Sequence, residues 1–276
     1  MTVQPPESEY FVRLLQALNP WLNQVVIIGG WAYRLYRMHP LSQRLGFSPL
    51  TTFDTDIAVP KKLLAVGQDF GERLKASGFK EEVLGHFHPP VTHYSLGENA
   101  RGFYAEFLTP LTGGVENRGK STATISVAGV ISQRLRYIEL LLNAPWRIRL
   151  DGTSGFPVKR PTTVQVPNPA SYLAQKLLIH DRQESKDRAK HVVYIHDTIQ
   201  TFGRSLDRLQ HEWTDNVKPM LPKKAAAKVA NSGEVLFAAV TDTIRNASIE
   251  ACATGRNVSP DELRAVCYAG LKRIFI

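Results

Sequence analysis

The residues best placed by type and spacing to do chemistry are Asp54 and Asp56, in the stretch Thr51-Thr52-Phe53-Asp54-Thr55-Asp56-Ile57-Ala58-Val59. The stretch alternates, which predicts a strand over 51–59. On a strand, positions two apart share a face, so the two carboxylates stand together while Phe53, Thr55 and Ile57 face the other way. Paired carboxylates repel, and above a buried opposite face that repulsion calls for a cation. Their hard oxygens suit Mg²⁺, which keeps several waters and fills its shell with substrate phosphates. Alone, an Asp-x-Asp is more often a solvated strand edge than a metal site.

Three further features bear on that pair. Gly29 and Gly30 close the apolar run Val25–Ile28 just before a predicted helix. Backbone N–H groups there can face a triphosphate, and glycine lets the chain come close. Glu106 is an acid in an aromatic strand, on the face of Tyr104 and Leu108 and opposite Phe103, Ala105 and Phe107. An acid in that setting sits at a sheet edge or beside other carboxylates. Lys176 falls on a predicted helix where Leu173 and Leu177 make an apolar stripe, and Tyr172, Lys176 and His180 lie along a different face. The default for a lone lysine is exposure. The order of glycine turn, helix, Asp-x-Asp strand, helix and acid-bearing hairpin is what two-metal phosphoryl transfer requires.

Other motifs carry less. Gly114–Ser121 fits the P-loop pattern letter for letter, but Pro110 and Gly113 break the approaching strand, and the Thr122–Val127 run that follows reads as extended rather than helical. Arg118 and Lys120 remain candidate contacts to nucleic acid. His86, His88 and His93 cluster around Pro89-Pro90 with no neighbouring cysteine or acid to complete a zinc site, so a loop feeding the hairpin is expected. Cys252 and Cys267 read as small apolar residues on helices.

The elements that position these residues follow from the apolar pattern. A helix is expected over 7–19, a buried strand at 25–28, a helix through 31–38, a loop at 39–50 and a helix over 61–77. A hairpin follows, with strands on either side of Gly97–Ala100, then a helix at 130–143 and two strands, 146–152 and 162–167. From Asn168-Pro169, a cap residue followed by proline, the chain turns helical: 169–183, 185–202, 204–214, 221–230, 232–253 and 259–274. The fold class is α+β, with two domains: 1–165 as a catalytic domain and 166–276 as a helical domain.

The chain's 276 residues carry 34 Lys and Arg against 25 Asp and Glu, a net charge of +9. Residues 113–228 hold nineteen basic against ten acidic residues, so the whole surplus lies there. A surplus of that size concentrates polyanions. No apolar run approaches the ~20 residues of a membrane span, and the acidic, proline-containing start is unlike a signal peptide. A cytoplasmic protein is expected.

Ile27–Tyr36, then Asp54-Thr55-Asp56, then the strand acid Glu106 resemble the minimal nucleotidyltransferases of the polymerase-β-like superfamily. The segment from Pro167 to Asp197 is similar to that of AbiEii-like toxins, where one helix carries a triphosphate-binding lysine and the next an acid. That resemblance implies a mixed β-sheet with flanking helices and a helical C-terminal domain that completes the NTP site and contacts the acceptor. It implies Asp54, Asp56 and Glu106 as metal-binding and catalytic residues with two Mg²⁺ ions, and Gly29, Gly30, Lys176 and Asp187 as NTP-binding residues. Asp197 is the alternative to Asp187. NMP would pass from an NTP to an acceptor hydroxyl, an RNA 3′ end such as that of tRNA, in a toxin or phage-defence setting with a cognate antitoxin. Two departures stand out: Gly29-Gly30 replaces the Gly-Ser of many members, and the long gap from Gly30 to Asp54 suggests an inserted loop at the site. A nucleotidyltransferase for small molecules or proteins, and a non-catalytic nucleotide-binding module, are the rival readings.

Overall fold

The computed structural model describes residues 6–64, 67, 69–84, 91–96, 102–111, 116–117, 120–121, 123–183 and 185–276. The chain forms two compact units, residues 1–32 with 51–166 and residues 33–50 with 167–276.

The first unit is built on a mixed sheet. Helix α1 (Pro6–Leu18) buries Phe11, Leu14, Leu15 and Leu18 along one stripe. After it come β1 (Val26–Ile27), α2 (Gly29–Leu35), β2 (Asp54–Ala58), α3 (Phe70–Ala76), β3 (Lys80–Leu84), β4 (Val91–Ser95) and β5 (Tyr104–Pro110). The path runs β1-β2-β5-β4-β3. β2 lies antiparallel to β1 and parallel to β5. Further along the chain, β6 (Glu116–Asn117) and β7 (Lys120–Ser121) form a ribbon, and β8 (Thr124–Val127) pairs β9 (Val130–Leu135), which lies parallel to β5. Then α4 (Ile138–Leu142) leads to the hairpin β10 (Trp146–Leu150) and β11 (Thr162–Val166).

Several expected elements differ. The 61–77 helix is confined to Phe70–Ala76, because Asp69 starts it by accepting from Glu72 N at 3.1 Å. Leu64, in the stretch expected to be helical, is 74% exposed. The 130–143 helix is a strand, a turn through Tyr137 at φ 69°, and a five-residue helix. A turn at Ala128-Gly129 and the β-branched pair Val130-Ile131 favour pairing with β8 over a helix. Strand β3 adds to the expected set. The Gly97–Ala100 turn of the expected hairpin lies outside the described residues, but its strands pair as β4 and β5. Lys120-Ser121, where a P-loop would open a helix, is extended in β7; Gly114, Val115, Arg118 and Gly119 lie outside the described residues.

The second unit is helical: α5 (Pro169–Ile179), α6 (Ser185–Thr201), α7 (Leu206–Glu212), α8 (Lys223–Leu236), α9 (Asp242–Cys252) and α10 (Pro260–Phe275). Asn168 caps α5 through Ser171 N at 2.8 Å, and Ser259 with Glu262 forms a capping box on α10. The break expected near 231 falls instead between Leu236 and Asp242. The helix runs through Gly233, where an added side-chain carbon would stand 3.2 Å from Leu271 on α10, so glycine lets the two helices pack closely. Residues 33–50 belong to this unit. Gln43 N donates to Thr201 O at 2.8 Å, and Gln43 Nε2 to Gln200 O at 2.7 Å, so the expected loop docks on the end of α6.

Candidate active site

Parallel pairing of β2 with β5 brings the strand acids together. Asp54 lies opposite Tyr104 and Asp56 opposite Glu106, while Thr55, Ile57, Ala105 and Phe107 bury the other face. On the carboxylate face the strands run on to Ala58 and Leu108, which pack with Val26, Ile28, Ile138 and Leu141. The three acids therefore sit where that apolar cluster ends, half-buried and partly desolvated.

The Gly29 turn lies directly on Asp56. Ile28 N donates to Asp56 O at 2.9 Å, and Gly29 has φ 61°. A methyl group on Gly29 would stand 2.0 Å from the Asp56 carboxylate oxygen Oδ2. Glycine is required here both for the left-handed backbone and for the approach. Trp31 is fully buried and stacks on Phe11 at 3.9 Å, so it packs in the core and is not a base-stacking surface.

Two groups that the sequence reading did not place at this site complete the face. β4 and β5 pair at Tyr94 and Ala105, and one step along that register puts His93 opposite Glu106. His93 Nε2 is 2.8 Å from Glu106 Oε1, and the His93 ring stacks on Tyr104 at 3.9 Å and 8°. The expectation that no acid stands near the histidines is thus corrected for His93; His86 and His88 lie outside the described residues. The length of the intervening turn hid this register from the sequence. The second group is Thr52, whose hydroxyl donates to Asp54 Oδ1.

The electrostatics follow from crowding. Burial, then Asp56 and then Asp54, push the Glu106 carboxyl up to about 8. Burial and the same acids also raise the Tyr104 phenol, which stays protonated. Among the described residues, no three His, Cys, Asp or Glu side chains gather into a group able to hold a metal unaided. Mg²⁺ does not need such a cage, because one or two carboxylates with waters and phosphates suffice. Asp54 and Asp56 present two carboxylates on one face, and the repulsion felt at Glu106 is what a cation bound there would relieve.

In the second unit the lysine helix departs from the expected exposure. Lys176 is only 7% exposed. Its Nζ is 3.1 Å from His191 Nε2 and lies 5.4 and 5.6 Å from the ring centres of Tyr172 and Tyr194. An ammonium can only donate, so His191 Nε2 accepts. Burial first, then the positive charge of Lys176, hold His191 down at about 2, so it is neutral and able to do so.

The two alternative acids differ sharply. Asp197 is fully buried, bonded to Arg256 at 2.5 Å, Tyr33 at 2.7 Å and His196 at 2.9 Å. Burial raises its carboxyl, but bonds from His196 and Arg256 prevail and hold it low. Asp187 is half-buried in the first turn of α6.

No helix among the described residues is long and apolar enough to cross a membrane. A family model described as nucleotidyltransferase matches residues 7–217. No curated protein and no solved structure matches the chain.

Proposed function

The chain belongs to the nucleotidyltransferase family, and from that premise we propose that it transfers NMP from an NTP to the 3′ hydroxyl of an RNA, with Asp54, Asp56 and Glu106 as its catalytic carboxylates. The enzyme class follows from the family. The residue roles are supported by one observation above all: the register that sets Asp56 beside Glu106, with Asp54 two residues away on the same face.

Asp54 and Asp56 would hold Mg²⁺, and Glu106 would join them if a second ion binds. A bound Mg²⁺ supplies charge neutralisation on the triphosphate and on the developing oxyanion. The Gly29-Gly30 turn admits phosphate oxygens close to the backbone beside Asp56. Thr52 holds Asp54 through its hydroxyl, and Tyr104 stacks on His93 beside Glu106. The acceptor oxygen attacks the α-phosphorus, its new bond replaces the α–β bridging bond, and pyrophosphate leaves. As proton acceptor Glu106 would take the proton of the acceptor hydroxyl, and burial beside Asp56 and Asp54 raises its carboxyl toward the range that suits that work. Lys176 as the phosphate lysine, and Asp187 with it, rest on the resemblance to AbiEii-like toxins. The commitment of Asp197 to Arg256 and Tyr33 supports choosing Asp187.

RNA as acceptor is supported by the charge surplus of residues 113–228. The toxin or defence setting, and an antitoxin partner, rest on the same toxin resemblance. Incubation with each labelled NTP and total cellular RNA tests the reading. Label should pass to one RNA band with release of pyrophosphate. Pyrophosphate release that labels only a small molecule or protein would move the acceptor to the rival class. No release with any acceptor would leave a nucleotide-binding module.

A further inference from the structure

A cavity of about 300 Å³ in the first unit has no part in the chemistry above. Val12 and Leu15 of α1 form its floor with Val158. Three cations surround that floor: Arg73 from α3, and Lys159 and Arg160 from the segment leading into β11. Among the described residues, none of the three is in an ion pair with a carboxylate. Arg73 Nε donates to Ala17 O at 3.1 Å, which seats its guanidinium against the last turn of α1. That bond engages Nε, and the terminal nitrogens of the fork are the atoms that match a phosphate in bidentate fashion.

Three like charges around one concavity repel, and an anion relieves the repulsion. A bare anion leaves the apolar floor without a partner. A nucleotide unit meets both needs: its phosphodiester lies among the cations, and its sugar or base covers Val12, Leu15 and Val158. Gln16 and Asn19, also on the lining, offer amides to a base edge or a ribose hydroxyl. The cavity is of a size for one such unit. An acidic peptide would satisfy the charges without the floor.

We propose that this cavity is a docking site for one nucleotide of the single-stranded RNA acceptor, gripped through its phosphates by Arg73, Lys159 and Arg160. The inference rests on the RNA reading above and adds where the strand is held.

The test uses the full chain and a fluorescent ten-residue oligouridylate, with affinity followed by anisotropy from low to physiological salt. Three variants are compared. Arg73→Gln/Lys159→Gln/Arg160→Gln empties the cavity of charge. Lys159→Gln/Arg160→Gln touches only exposed residues, so it keeps the test intact if the Arg73 change unseats α1. Lys218→Gln/Lys223→Gln/Lys224→Gln removes the same charge from the second unit. With the two phosphates that flank that nucleotide no longer gripped, the cavity variant should lose about tenfold or more in affinity, and its log–log salt slope should flatten by about 1.4, at roughly 0.7 per phosphate on a single strand. The double variant should show about two-thirds of that change in slope, and the control little. NTP binding, measured separately, should be unchanged, and so should pyrophosphate release at saturating RNA. Wild-type slope in the cavity variants, an equal loss in the control, or displacement of the oligonucleotide by polyglutamate at equal charge would overturn the inference and leave the nucleotidyltransferase reading standing. Absence of RNA binding by the wild type would overturn it too, while pyrophosphate release decides the reaction class independently.

Discussion

A methyl group on Gly29 would stand 2.0 Å from Asp56 Oδ2, on a backbone already at φ 61°. Gly29→Ala should therefore lose activity by more than tenfold and stability by roughly 1 kcal/mol or more, read from urea unfolding and pyrophosphate release. A variant with wild-type turnover would mean that the turn can move off the carboxylate. Glu106 carries a pH signature of the same crowding. Its carboxyl titrates at about 8 when folded, against an ordinary 4.5. Between those values the folded chain keeps a proton that the unfolded chain has released, so stability falls as pH rises through that window. Below it the two states are protonated alike, and above it the loss is complete. Urea midpoints in EDTA from pH 5 to 8.5 should fall for wild type and flatten for Glu106→Gln; parallel profiles would contradict the assignment. Lys176 gives a third contrast. Lys176→Ala should weaken NTP binding, while Lys120→Ala, in the strand that mimics a P-loop, should leave it nearly unchanged in equilibrium titration.

At the scale of elements, legibility tracks how local the cause is. Strand β2 and the buried faces of β2 and β5 are readable because alternation is a property of consecutive residues. The helix starts at Asn168 and Ser259 are readable because a cap acts within three positions. The 130–143 stretch misleads because its apolar residues fit a helix equally well, and pairing of β9 with β5 and β8 is decided by residues far along the chain. The places of His93 beside Glu106 and of His191 beside Lys176 are hidden for the same reason. Each gains its meaning from a neighbouring element whose register or packing the sequence does not state. The Asp197 clasp is a further case, joining residue 33 on α2, the α6 acid and Arg256 after α9. Truncating a buried ion-pair partner strands the other charge, so Asp197→Ala should cost roughly 3–5 kcal/mol in unfolding free energy. Asp187→Ala should leave the unfolding midpoint nearly unchanged and slow NTP turnover. The reverse pattern would make Asp197 the functional acid.

Over the whole molecule, one motif pair and one charge surplus in the sequence carry the functional reading. Asp-x-Asp with Gly-Gly points to nucleotidyl transfer, and the family match over residues 7–217 agrees. The surplus does not say where a polyanion would lie, because charge counts carry no geometry. The fold gathers Arg73, Lys159 and Arg160 around one cavity from positions far apart in the chain. Everything proposed for the reaction depends on Asp54 and Asp56 holding the metal. Pyrophosphate release from NTP and RNA should be measured for wild type with Mg²⁺, wild type in excess EDTA, Asp54→Asn and Asp56→Asn. Release is expected only in the first, with both variants folded and melting no lower than wild type, since each relieves carboxylate repulsion. Release at the wild-type rate in EDTA, or by either folded variant, would contradict the metal-binding role of the pair.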